Sequence, residues 1–156
     1  MENSDLLGRS SLRSIHNLVI RDSGRIQDYG SSQTLDRNAG EPDTAEIWSA
    51  VERVLKSRAL RGSNRLIELL NFVVSETLRG EATQLKETTI AVSVFKRSPD
   101  YDPKLDTIVR SQAWRLRAKL KKYYATEGAD DPVVIELPIG HYVPVFHARH
   151  EAKLSH

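Results

Sequence analysis

Asp106–Ala125 reads DTIVRSQAWRLRAKLKKYYA, twenty residues without glycine or proline, and its periodicity decides the fold. At about 100° per residue, Leu105, Val109, Ala113, Leu116, Leu120 and Tyr123 share one stripe. Thr107, Arg110, Ser111, Trp114, Arg117, Ala118 and Lys121 fall opposite it, with Arg115 and Lys122 flanking them. A helix with one apolar and one cationic face is expected here, with Asp106 satisfying free amides at its start.

Charge sharpens the reading. The chain of 156 residues carries a net charge of only +2, so its total says little and its distribution says more. Residues 1–40 balance five basic against five acidic side chains, whereas 41–128 hold sixteen against twelve. Within Lys104–Lys122 stand Lys104, Arg110, Arg115, Arg117, Lys119, Lys121 and Lys122, opposed by Asp106 alone. Cations gathered on one segment are the pattern that a polyanionic partner selects.

Working outward, Gly128 closes the helix and Asp130-Asp131-Pro132 forms a turn. Val133–Pro138 and His141–Phe146 are β-rich runs joined by Ile139-Gly140, a terminal hairpin. Pro138 and Pro144 cannot donate to a ladder, which suits an edge ribbon. On the N-terminal side, Pro99 and Pro103 bracket a loop at Asp100-Tyr101-Asp102. Lys86–Phe95 carries Ile90, Val92, Val94 and Phe95, a pattern that leaves helix and strand both open. Ser63 to Leu78 reads as a central core helix capped by Ser63 and ended by Gly80, and Ile47, Val51, Val54 and Leu55 predict another behind Asp43 or Thr44. The expectation is a mainly α domain over 43–147 with a C-terminal β-hairpin. It is flanked by a disordered, polar tail at 1–42, or an arm that orders on binding, and by a frayed end at 148–156.

Three helices, the last long and basic, then a hairpin: this order resembles a winged helix-turn-helix with an extra N-terminal helix. Ser63-Asn64-Arg65-Leu66-Ile67-Glu68-Leu69-Leu70 resembles the first helix of OmpR/PhoB-type effector domains, and Lys86–Phe95 their second. Asp100-Tyr101-Asp102 with Leu105-Asp106 resembles their linking loop, and Leu116-Arg117-Ala118-Lys119-Leu120 their Leu-Arg-x-Lys-Leu motif. Ile135–Phe146, with Gly140-His141-Tyr142, is similar to their wing. Closer still are winged-helix N-terminal segments of bacterial signalling proteins with TolB-like or tetratricopeptide regions. Those share the Tyr-Asp-Pro loop, the Arg-Leu-Arg helix and the Pro-x-Gly-x-Tyr-x-Pro wing, and extend the match to Thr44–Ala59. The resemblance implies a transcriptional regulator that binds double-stranded DNA as a dimer or on repeated half-sites, and the lack of cysteine, of an apolar span and of a signal-peptide h-region makes a cytoplasmic setting the plain expectation. The resemblance places Thr107, Arg110, Ser111, Trp114, Arg115 and Arg117 on or near the DNA-facing helix and His141 at the wing tip. Lys121 and Lys122 join them on the cationic face as phosphate contacts. Two departures stand out: about one extra turn between Asp106 and the Leu116 motif, and Ile139 where the wing pattern expects arginine.

Other chemistries find little footing. No run of about 18 apolar residues crosses a membrane, and the absence of cysteine removes thiolate metal sites and thiol nucleophiles. His141, His147 and His150 lack the companions of a metal site. No nucleophile elbow or phosphate loop is present, so neither an enzyme nor a cofactor or small-molecule substrate is expected. The second reading is a winged-helix adaptor in a signalling pathway that docks a protein through Trp114 and the N-terminal helix. Trp48 could instead cover Trp114. Arg117 and Lys119 also suit ion-pair or stem-packing roles, Tyr123, Tyr124, Tyr142 and Phe146 suit the core, and Tyr101 suits either place.

Overall fold

The computed structural model describes residues 40–149. The tail expected at 1–42 lies outside them except for its last three residues, as does the chain from residue 150. Among the described residues four helices precede the strands: α1 (Thr44–Leu55), α2 (Asn64–Leu78), α3 (Glu87–Ser93) and α4 (Ile108–Ala125), with one 3-10 turn at Ala82–Gln84. An antiparallel pair follows, β1 (Val133–Glu136) and β2 (Val145–Ala148), in the register Val133↔Ala148 to Glu136↔Val145. The mainly α expectation with a C-terminal hairpin therefore holds. No helix among the described residues is long and apolar enough to cross a membrane.

Each helix forms for a local reason. Asp43 takes the cap of α1 in a capping box: the Glu46 N–H donates to Asp43 Oδ1 at 2.8 Å, and the Asp43 N–H to Glu46 Oε1 at 2.9 Å. Ile47, Ala50, Val51 and Val54 then bury one face. α2 buries Leu66, Leu69, Leu70, Val73 and Val74, and Gly80 closes its end at φ 84°. Ser63 stands at its N-cap position, but the side chain makes no capping bond. The ambiguous Lys86–Phe95 stretch is helical through α3, because Ile90, Ala91, Val94 and Phe95 reach the core at helical, not alternating, spacing.

α4 realises the expected stripe at Val109, Ala113, Leu116, Leu120 and Tyr123. Leu105 is the correction. It is 84% exposed, because the helix starts at Ile108 and the preceding loop is tied into its own turn. The Tyr101 hydroxyl donates to Asp106 O at 2.5 Å, Arg97 Nε to Asp106 Oδ2 at 2.7 Å, and the Leu105 N–H to Asp102 O at 2.9 Å. Tyr101 thereby packs at the core's margin.

The hairpin differs from its reading too. Its strands are four residues each, and the link runs from Leu137 to Pro144 rather than turning tightly at Ile139-Gly140. Arg117 explains this: its Nε donates to Leu137 O at 2.8 Å and its Nη2 to Pro138 O and His141 O, both at 3.1 Å. Those carbonyls are held by the helix instead of a ladder. The edge of β1 facing α4 is likewise occupied, since the Ile135 N–H donates to the Tyr124 hydroxyl at 3.1 Å. Burial pushes the Tyr124 hydroxyl up to about 12. Order continues past His147, where the sequence placed the start of a frayed end: the Arg149 N–H donates to Pro132 O at 2.7 Å and its Nε to Asp131 O at 2.9 Å. One core joins all these elements, and β1 packs on both α1 and α4.

Candidate nucleic-acid interface

α3 and α4 are joined by the fourteen residues 94–107, far more than the three or four of a tight helix-turn-helix. Arg110 compensates. Its Nη1 meets Glu87 Oε2 on α3 at 2.8 Å, and its Nη2 donates to Pro103 O in the loop at 2.9 Å. A guanidinium thus links α3, the loop and α4. Asp106, at the entry to α4, is held below the usual carboxylate range, first by its hydrogen bond from Arg97, with the Ile108 N–H adding to it.

The outward face of α4 is built from the residues that this bracing leaves over. At about 100° per residue, Lys121, Trp114, Thr107, Ala118, Ser111, Lys122 and Arg115 lie within an arc of about 120°. All seven are exposed. Trp114 is 69% exposed, so Trp48 does not cover it. Among the described residues, Arg115, Lys121 and Lys122 form no ion pair. The Ser111 hydroxyl donates back to Ile108 O at 3.2 Å, and its oxygen remains open as an acceptor.

The expected site residues therefore divide. Thr107, Ser111, Trp114, Arg115, Lys121 and Lys122 share the open face. Arg110 and Arg117 sit along one border of it, each with part of its guanidinium hydrogen-bonded inside the molecule; among the described residues Arg117 makes no ion pair and binds hairpin carbonyls instead. His141 is exposed in the hairpin link, where its Nδ1 accepts from the Val143 N–H at 3.2 Å. Ile139, 85% exposed beside Gly140 at φ 106°, is the prominent residue that sequence reasoning did not select. An apolar side chain next to a turn glycine carries no charge signal by which to find it.

Between α4 and β1 runs an open groove of about 600 Å³, walled by Leu120, Tyr124, Val134, Leu137 and Pro138, with Lys121 at its mouth. No group of three or more His, Asp or Glu side chains among the described residues could hold a metal ion. No family model, no curated protein and no solved structure matches the chain.

Proposed function

We propose that this chain is a winged-helix DNA-binding regulator of the OmpR/PhoB-like kind, with α4 as the recognition helix and the β1–β2 hairpin as the wing. The observation that carries the reading is the division of cations on α4. Arg110 and Arg117 bond to groups inside the fold, and Arg115, Lys121 and Lys122 stand exposed on one face with no ion-pair partner among the described residues. Exposed cations on one helix face release counterions from phosphates, and a B-DNA major groove about 12 Å wide admits one helix with its side chains. Arg117 ties the hairpin link to this same helix, so helix and wing would meet DNA as one surface.

Fluorescence anisotropy of a labelled duplex, titrated between about 50 and 200 mM salt, tests the reading. Affinity should fall steeply, with a log–log slope of roughly −0.9 per phosphate neutralised. Absence of binding at the low-salt end defeats the proposal. The 69% exposure of Trp114 is also what a protein-docking adaptor would offer. A partner retained at high salt, by a chain that ignores duplex DNA, favours that second reading.

A further inference from the structure

Trp114 is the largest side chain on the open face of α4, and the fold gains little from leaving it there. An indole normally contributes its large apolar area to a core or an interface. Its neighbours on the helix keep it accessible: Ser111 lies three residues before it and Ala118, with a single methyl, four residues after it. The two arginines placed to stack on it are drawn away, Arg110 to Glu87 and Pro103 O, Arg117 to the hairpin carbonyls. Among the described residues the cation–π contacts are Arg65 on Phe95 and Arg149 on Tyr124, and no hydrogen bond engages the Trp114 indole N–H. The side chain thus presents a bare apolar ring and one unused donor.

In the major groove only thymine offers the matching pair, a C5-methyl group beside the O4 acceptor. Guanine shows two acceptors and no apolar group, cytosine offers a donor that an indole cannot accept, and adenine pairs an acceptor with a donor. We infer that Trp114 reads thymine, its ring covering the methyl while Nε1–H donates to O4. The inference rests on the DNA-binding reading and assigns it a base preference.

The test uses the full chain and a duplex selected on it from a random pool, with each thymine replaced singly by deoxyuridine, which removes one methyl. At fixed salt the chain should bind about fourfold more weakly at the contacted thymine, the value of one buried methyl-sized group. Trp114→Ala should bind the thymine and uracil duplexes equally while keeping most of its salt dependence. Trp114→Phe should retain the discrimination, having a ring but no N–H. Equal affinity for every substituted duplex in the unaltered chain overturns the thymine assignment and leaves DNA binding standing. So does a deoxyuridine penalty that persists in Trp114→Ala. A chain that selects no duplex overturns both.

Discussion

Lys96 lies at φ 57°, the one non-glycine described residue with positive φ, just past the end of α3. There the Arg97 N–H reaches back to Ala91 O at 3.0 Å, a closure that requires the left-handed conformation at the residue before it. An L side chain is strained there and glycine is not. Lys96→Gly should therefore stabilise the protein by up to about 1 kcal/mol, visible as a higher Tm in thermal melts; a lower Tm would contradict the account. Asp106 makes a pH-dependent contribution. Its carboxyl sits below the ordinary value of 3.8 because Arg97 donates to it. A depressed native value means stabilisation that is complete above the unfolded value and lost as pH falls through the native one. The stability difference between the native chain and Asp106→Asn should be largest near neutrality and should vanish in acid. Parallel curves across the whole range would rule this out.

At the scale of elements, the close of α4 is built around Gly128. Its N–H donates to Tyr123 O at 2.7 Å, and a Cβ placed on it would overlap the Tyr123 ring, which stands edge-on to Tyr124 at 4.8 Å. The Tyr123 hydroxyl donates to Asp131 Oδ2 at 2.5 Å, and burial raises its pKa. Gly128→Ala forces this packing apart and should destabilise by about 1–3 kcal/mol in denaturant titrations. In a Tyr123→Leu background the penalty should shrink, giving a non-zero coupling in a double-mutant cycle. The same helix shows what was readable in advance. Val109, Ala113, Leu116, Leu120 and Tyr123 announce their face through spacing alone. Leu105 shares that spacing and is exposed, because the loop before it is closed by Tyr101, Arg97 and Asp102, partners that periodicity does not encode. α3 shows the converse: its β-branched residues left two states open, and burial of Ile90, Ala91, Val94 and Phe95 together selected the helix.

Across the whole molecule the candidate surface was legible as a charge pattern but not as a division of labour. A sequence shows that Arg110, Arg115 and Arg117 are cations. It does not show that Glu87 and three hairpin carbonyls claim two of them, since those partners lie 20 or more residues away in the chain. The division predicts two separable phenotypes. Arg115→Ala and Lys122→Ala should leave stability within about 0.5 kcal/mol and lower the salt slope of DNA binding by about one each. Arg117→Ala should lower stability by about 1–3 kcal/mol, since it takes the donor from the part-buried carbonyls of Leu137 and Pro138. Melting curves and salt titrations on the same preparations separate the two; equal melting points for all three variants would refute the division.

The covered edge of β1 has a further consequence. A two-stranded ribbon ordinarily leaves both flanks as templates on which other chains can add strands and grow into fibrils. Here Tyr124 and Arg117 fill one flank, and the other is four residues long and begins after a proline. The hairpin therefore offers a neighbouring copy of the chain little edge on which to add a strand.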